Sequence, residues 1–194
     1  MTLAVLYSRA SVGIDAPEVR IEVHLTNGLP GLAIVGMPET AVRESKDRVR
    51  SALINAGFEY PQRRITVNLA PADLPKEGGR YDLAIALGVL AASNQIPVEQ
   101  LADFECYGEL SLSAELRPVS GILPAALACA RSGRKMLVPS INASEACLPQ
   151  DNQVFTADHL LKVTAALHGQ QQLPQAQLNP EQRQHQLLAM LDLM

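Results

Sequence analysis

The sequence predicts an α+β fold in which a mixed β-sheet is covered mainly on one face by helices. Residues 18–25 alternate charged and apolar side chains, the period of two that marks a strand with one solvated face. Residues 39–56 carry one apolar stripe at helical spacing, which is typical of a helix lying on such a sheet. Residues 83–92 are apolar nearly all round, and a helix without a polar face is buried in a core. The rest of the chain is expected to wrap around this last helix.

The composition indicates a folded protein with a core of its own. Of the 194 residues, 47% are hydrophobic and 19% are charged, which excludes wholesale disorder and fits one domain with an appendage. The net charge of −4 argues against a globally basic nucleic-acid binder but leaves room for a local basic patch. The 3 cysteines lack CxxC spacing, so buried thiols in a reducing compartment are expected. Because no signal peptide and no long apolar run is visible, the sequence predicts a cytoplasmic protein with no membrane partner.

The N-terminal part predicts three strands in a meander. Residues 2–8 alternate loosely, residues 18–25 alternate strictly, and residues 31–35 form a short apolar run. The dipeptide Asn27–Gly28 favours a hairpin turn between the second and third of these strands. Three antiparallel strands in chain order are the simplest arrangement.

The helix predicted over residues 39–56 has a charged outer side. Pro38 stands where a first helical residue is favoured, and Gly57 stands where a helix ends. The charged side, on which Arg48 is also placed, is either a surface for DNA or a partner, or a solvated helix face. The second interpretation is favoured because acidic residues nearly balance the basic ones. The only local concentration of positive charge consists of Arg43, Lys46, Arg50, Arg63 and Arg64.

A strand over residues 65–69 leads into a long loop and then into the buried helix, which opens at Asp82. Gly78–Gly79 allows a sharp turn at this point. Free N–H groups at the helix start can hold an anion with the help of Arg80. The alternative, which is favoured, is that the two glycines serve a tight turn needed for close packing.

The remaining chain predicts short strands and helices and then a change of composition at Gly169. A Gln/Pro-rich linker is expected over residues 169–177, followed by a helix with Asn179 as its cap. The chain therefore divides into a domain of residues 1–168 and an appendage of residues 169–194. The elements predicted between the buried helix and the linker are a strand over 105–112 with a hairpin partner over 115–119, a helix over 122–130, strands over 135–139 and 154–155, a helical turn over 142–147, and a helix from an Asp158 cap to Leu167.

Three long segments resemble one family of proteins. They are GLPGLAIVGMPETAVRESKDRVRSALINAGFEYP, PADLPKEGGRYDLAIALGVLAAS and YGELSLSAELRPVSGILPAALACARSG. They resemble the N-terminal domain of the Mg-chelatase-like AAA+ ATPases of the ComM/YifB type, and they occur in the order expected for it. That domain is similar to the proteolytic domain of Lon protease and to the Lon-like domain of the RadA recombination protein. The resemblance implies the ribosomal protein S5 domain 2-like fold, with a left-handed βαβ crossover that departs from the usual rule.

The resemblance implies no peptidase activity for this chain. A Lon-type peptidase uses a Ser nucleophile and a Lys base. Arg80 stands where that Ser lies and Leu123 where that Lys lies, and an arginine cannot attack a carbonyl. Family members bind ATP and Mg in an AAA+ module that follows this domain, and no GxxxxGK[ST] loop occurs in the sequence. No cofactor and no metal site is therefore expected in this chain itself.

The function implied by the resemblance is that of a non-catalytic accessory domain in a competence- or recombination-type AAA+ ATPase of the ComM-type DNA helicase and branch-migration family. The domain would serve ring assembly, partner contact or weak DNA contact. The alternative is a free-standing regulatory domain that binds a partner protein without joining an ATPase. When isolated, the chain is expected to be a monomer or weak dimer. An apolar tail, with Leu187, Leu191 and Met194 on one helical face, is expected to dock or associate.

Overall fold

The computed structural model describes residues 2–193, which form short strands and helices in an α+β arrangement. The strands are β1 Leu3–Arg9, β2 Glu18–Thr26, β3 Gly31–Val35, β4 Arg64–Ala70, β5 Phe104–Cys106, β6 Glu109–Leu110, β7 Leu116–Arg117, β8 Lys135–Pro139, β9 Val154–Ala157 and β10 Gln175–Ala176. The helices are α1 Thr40–Arg43, α2 Ser45–Asn55, α3 Asp82–Ala92, α4 Ile122–Ser132, α5 Ala143–Ala146, α6 Leu160–Leu167 and α7 Pro180–Leu191. Short 3-10 turns lie at Leu101–Asp103 and Ser140–Asn142.

Eight strands form one mixed sheet in the order β10-β9-β8-β5-β1-β2-β4-β3, and β6 and β7 form a separate hairpin. The strands β1, β5, β8 and β9 run parallel to one another. The pairs β1–β2 and β2–β4 are antiparallel. One edge strand, β10, is antiparallel to β9, and the other, β3, is parallel to β4. The prediction of an α+β fold with a mixed sheet is confirmed.

The predicted three-stranded meander is wrong in its third strand. β4 lies between β2 and β3, so that Val67 pairs with Val23 on one side and with Ile34 on the other. Because β4 has neighbours on both sides, its alternate apolar residues become fully buried. The Asn27–Gly28 turn therefore joins two strands that do not pair, and the predicted hairpin does not form.

The central helix α3 is buried along its whole length, as predicted. It packs on β1 and β2, and Gly88 comes so close to the sheet that a Cβ there would lie 2.4 Å from Val23 Cγ2. Only glycine permits this approach, so residue 88 fixes the depth at which α3 lies on the sheet.

Helices cover both faces of one half of the sheet, whereas the prediction placed them mainly on one face. Leu137 of β8 belongs to the main core with α3 and α6. Its neighbours Met136 and Val138 pack with α4 in a second core. Because successive side chains of a strand point to opposite faces, α4 lies on the face opposite α3. In the other half, the residues of β2, β4 and β3 on that second face are partly or fully exposed.

The strand predicted over residues 105–112 is interrupted in the structure. β5 pairs with β1 and β8, whereas β6 leaves the sheet and pairs with β7. The chain leaves the sheet at Gly108. The N–H of Gly108 donates to Arg80 O at 3.1 Å, and its carbonyl accepts from Leu83 N–H at 3.1 Å. Backbone pairing with the start of α3 thus replaces sheet pairing at this point.

Two predicted helix boundaries also differ from the structure. The helix expected over residues 39–56 is interrupted at Glu44, which separates α1 from α2. Helix α6 is capped by His159, whose ring nitrogen Nδ1 accepts from Leu161 N–H at 3.0 Å. The predicted cap, Asp158, lies one residue too early to reach this donor and forms an exposed ion pair instead.

The segment predicted as a flexible linker is held at one edge of the sheet. Gln175 and Ala176 form β10 and pair with β9. Helix α7 begins as predicted, with a capping box between Asn179 and Gln182. The domain boundary at residue 168 stays a prediction.

Helix α7 has no buried residue. Its leucines Leu187, Leu188 and Leu191 are 47%, 54% and 64% exposed. Met194, the third residue of the predicted apolar face, lies outside the described residues.

Across residues 2–193, no helix combines the length and the apolar character that a membrane crossing requires.

Candidate functional site

The loop between β4 and α3 closes around a buried lysine that no sequence pattern singled out. Lys76 is 0% exposed, and its Nζ donates to the carbonyl oxygens of Gly36, at 2.6 Å, and Pro71. Its own carbonyl accepts from Glu39 N–H at 3.1 Å. Burial lowers the pKa of Lys76, and the nearby Asp73 carboxylate partly offsets this effect. Lys76 therefore fastens the loop to the chain that follows β3.

Arg80, which the resemblance to Lon sets at the position of the nucleophile, is bound to two backbone carbonyls. Its side chain is nearly buried, and Nη1 donates to Arg9 O at 3.2 Å while Nη2 donates to Ser120 O. The guanidinium thus joins the end of β1 to the segment that precedes α4. Leu123, which the resemblance sets at the position of the base, lies in the first turn of α4 and is half-buried. Neither side chain offers a nucleophile or a base.

The glycine pair beside Arg80 lies against a carboxylate. Gly78 has a φ of +72°, which favours glycine. A Cβ on Gly79 would lie 2.4 Å from Glu109 Oε2, so a side chain at residue 79 would require Glu109 to move. An anion bound in this loop would meet the charge of Glu109, and the guanidinium of Arg80 already has two acceptors. The turn conformation accounts for Gly78 and the close approach of Glu109 for Gly79, and anion binding at Gly78, Gly79 and Arg80 stays a prediction.

Asp82, the first residue of α3, is a fully buried carboxylate that gathers donors from α2 and β6. Arg48 Nε donates to Oδ2 at 2.6 Å and Arg48 Nη2 to Oδ1 at 3.1 Å. The Ser45 hydroxyl donates to Oδ1, and Leu110 N–H donates to Oδ2 at 3.0 Å. The hydrogen bond to Asp82 raises the pKa of Arg48, although desolvation opposes it. The placement of Arg48 on a solvated face is therefore wrong, because Arg48 lies beside the buried Ser45 at the flank of the apolar stripe.

Glu105 is a second buried carboxylate, and it joins β1, β5 and the end of α4. Arg9 binds it through two bonds, Nε to Oε2 at 2.8 Å and Nη2 to Oε1 at 2.7 Å. Tyr107 donates to Oε2 at 2.9 Å, and Ser132 donates to Oε1 at 3.2 Å. Burial, reinforced by Glu105, raises the pKa of Tyr107. Because its carboxylate oxygens accept these hydrogen bonds, Glu105 avoids the cost of an unpaired buried charge.

The predicted basic surface is divided between two places. Lys46 and Arg50 are exposed and line a surface cleft of about 370 Å³ together with Tyr60. The guanidinium of Arg50 lies 5.7 Å from the centre of the Tyr60 ring. Asp47 lines the same cleft and reduces its positive charge.

The other three predicted basic residues do not line this cleft. Arg63 and Arg64 lie close to it in the chain, at the start of β4 beside Gly31. Arg43 is the last residue of α1, and its Nε donates to Pro38 O at 3.4 Å. The structure therefore brings Lys46 and Arg50 together in one cleft that Arg43 does not line.

The chain matches one protein family over most of this region. The family model described as subunit ChlI of Mg-chelatase matches residues 21–142. This range contains both Arg80 and Leu123 as well as all five residues of the predicted basic surface.

Several curated proteins are similar to the chain. It is 56% identical over 176 residues to the competence protein ComM of Haemophilus influenzae, which is 91% of this chain and 35% of that protein. It is 52% identical over 173 residues to the uncharacterized protein YifB of Salmonella typhimurium, which is 89% of this chain and 34% of that protein. Its identity with the Lon protease of Rhizobium meliloti is 29% over 153 residues, or 72% of this chain and 19% of that protease. The chain thus spans about a third of the length of the ComM and YifB relatives.

Proposed function

Because the chain belongs to the family of subunit ChlI of Mg-chelatase, in which it is similar to the N-terminal region of ComM- and YifB-type proteins, we propose that it is a non-catalytic accessory domain of a AAA+ ATPase. The ATPase is of the competence and recombination type, and ATP and Mg bind in a separate AAA+ module. The domain acts in the cytoplasm by assembling with that module or with other copies, or by contacting a partner or DNA. An S5 domain 2-like fold with a left-handed crossover is part of the same proposal.

The chemistry and hydrogen bonding of Arg80 are the main support for a domain without catalytic activity. A Lon-type site needs a nucleophile at this position, and an arginine supplies none. The guanidinium instead donates to Arg9 O and Ser120 O, so it contributes to the packing of β1 and α4. The Leu123 side chain can neither donate nor accept a proton. Both observations support a domain that acts through binding and not through catalysis.

DNA contact is supported by the cleft that Lys46 and Arg50 line. Exposed lysine and arginine side chains bind phosphates, and a nearby aromatic ring suits an unpaired base. Asp47 and the net charge of −4 keep such binding weak. Backbone contacts of this kind weaken steeply as salt rises.

Adding the chain in trans to the part of Haemophilus influenzae ComM beyond the matched region tests the accessory role. We expect the chain to bind that part and change its rate of ATP hydrolysis, while the chain alone turns over neither ATP nor casein. A variant with Lys46→Ala and Arg50→Ala should lose DNA binding in fluorescence anisotropy and keep the effect on ATP hydrolysis. Casein turnover by the purified chain would contradict the proposal, and a folded chain without any effect on ComM would favour the free-standing alternative.

A further inference from the structure

The strand β3 is an edge strand whose outer side has no strand partner within residues 2–193. On its inner side, Gly31 N–H donates to Arg63 O at 3.4 Å, in the parallel pairing with β4. In a parallel pair, the N–H and the C=O of one residue point toward the same side of the strand. The next residue points both groups toward the other side. Leu32 and Ile34 therefore turn their N–H and C=O groups outward, and the other residues of β3 bond to β4.

This edge lacks the features that usually prevent strand pairing. Edge strands are commonly protected by a lysine, a proline, a bulge or a covering element. The sequence of β3, GLAIV, contains neither a charged residue nor a proline. The side chains at and beside the strand are apolar and exposed, with Val35 at 46%, Met37 at 55% and Leu29 at 87%. The edge is therefore open to an added strand.

The two ends of the edge carry opposite charge. Basic residues gather where β3 begins, because α2 and the start of β4 meet there, and one acidic residue offsets them in part. These residues are Lys46, Arg50, Arg63 and Arg64, with Asp47.

Acidic residues gather where β3 ends, because the loop fastened by Lys76 lies against the chain that follows the strand. Glu39, Asp73 and Glu77 are exposed there, and Arg43 offsets one of them. Lys76 is buried and bound to two carbonyls, and its charge offsets a second of these acidic residues. Three acidic and two basic residues leave this end with a net charge of −1.

We propose that β3 pairs antiparallel with β3 of a second copy of this chain, across a two-fold axis. Antiparallel pairing places the basic end of each copy beside the acidic end of the other, whereas parallel pairing would place like charges together. The contact is self-complementary, as a two-fold interface must be. This pairing, which rests on the assembly role proposed above, joins the sheets of two copies into one.

The dimer is weak. Each copy contributes only two residues with outward backbone groups, and such a contact falls below the roughly 1,200 Å² of standard specific interfaces. Association should therefore depend on concentration, in agreement with the expected monomer or weak dimer.

Amide hydrogen exchange of the intact chain, measured by NMR at low and high protein concentration, tests the pairing directly. The amides of Leu32 and Ile34 should exchange fast in dilute samples and slowly in concentrated ones. The amide of Ala33, which already bonds to β4, should exchange slowly in both. Protection of Leu32 and Ile34 that does not change with concentration would overturn the pairing.

Charge exchange between the two ends tests the antiparallel orientation by sedimentation velocity. One variant carries Lys46→Glu and Arg50→Glu, and the other carries Glu39→Lys and Glu77→Lys. Each variant alone has like charges at both ends, so its self-association should weaken by about tenfold or more. An equal mixture of the two should associate again, because every contact is then between opposite charges. Variants that associate like the original chain, or a mixture that does not recover, would overturn the orientation.

A third variant separates the β3 edge from the exposed helix α7. Leu188→Ser with Leu191→Ser should leave the association constant unchanged. Loss of the dimer in this variant, with full association of the charge variants, would place the contact in α7 and overturn the β3 pairing. A dimer that persists while the chain has no effect on ComM would leave the pairing intact and count only against the accessory role.

Discussion

Arg48 Nε lies 2.6 Å from Asp82 Oδ2, and this ion pair fixes helix α2 against the first turn of the buried helix α3. The Asp82 carboxylate is fully buried, whereas the Arg48 side chain is 19% exposed. The same carboxylate accepts from Leu110 N–H of β6, so one side chain positions three elements around the core. Because the loop with Arg80 runs directly into Asp82, the geometry of that loop depends on this pair.

Replacing Asp82 by alanine should lower the free energy of unfolding by about 3–5 kcal/mol, because Arg48 loses its buried partner and the buried Leu110 N–H loses its acceptor. Urea denaturation of the intact chain measures the change. The matched control is Lys162→Ala, which breaks the exposed Asp158–Lys162 pair at 2.7 Å and should cost at most about 1 kcal/mol. Equal effects of the two substitutions would contradict the structural role of Asp82.

Helix α3 should be the centre of stability. Leu87 is 0% exposed in the main core, and Leu87→Ala should cost about 2–5 kcal/mol through lost burial and the cavity that remains. Leu188→Ala removes the same atoms from the exposed face of α7 and should change the free energy of unfolding by at most about 0.5 kcal/mol, as should Arg50→Ala. If chemical denaturation gives similar values for all three, the core is not centred on α3.

The free energy of unfolding should fall at alkaline pH. Burial raises the pKa of Cys106 and of Cys129 to about 12, from an ordinary value of 9.0. Between these values the unfolded chain loses protons that the folded chain keeps, so stability is complete below about pH 9 and declines as pH rises toward 12. Denaturation at several pH values measures the slope, and Cys106→Ala should make it shallower. An unchanged slope in that variant would contradict a buried neutral thiol.

The sequence predicts the most buried parts of this fold better than it predicts their connections. Apolar residues all round residues 83–92 leave no solvated side, which is why α3 is recognised correctly. The strict alternation of β2 is an equally local signal. The position of β4 between β2 and β3 is not local, because Val67 and Ile34 belong to short apolar segments that could each pair with β2. A helix between two strands favours parallel pairing of those strands, so the helical pattern over residues 39–56 was the available signal for the β3–β4 pair.

Polar residues of the candidate site could be placed only in part. Arg48 and Arg50 stand two positions apart on one helix, yet Arg48 is paired with a buried carboxylate and Arg50 is exposed. The sequence indicates the buried position of Arg48 only through its place three residues after Ser45 and next to the apolar stripe. Glu105 had no such signal, because a polar residue in a short strand normally faces solvent. For Arg80 the family resemblance identified the position, and only the structure gives its two carbonyl partners.

Removing the C-terminal appendage in two steps should show where the folded unit ends. A chain ending at Leu178 loses only α7, which has no buried residue and is held by hydrogen bonds from Arg183 to Leu148 O at 3.2 Å and Cys147 O at 3.3 Å. Loss of these bonds should cost about 1–3 kcal/mol at most.

A chain ending at Gly169 also loses β10 and the partly buried side chains of Leu173 and Leu178, which pack against the two cores. Burying a leucine fully contributes about 1.5–3 kcal/mol, so this shorter chain should be clearly less stable than the one ending at Leu178. Urea denaturation of both chains beside the intact one measures the two steps. Equal stability of the two shortened chains would mean that residues 169–177 form the linker that the sequence predicts, because β10 would then contribute nothing to the sheet.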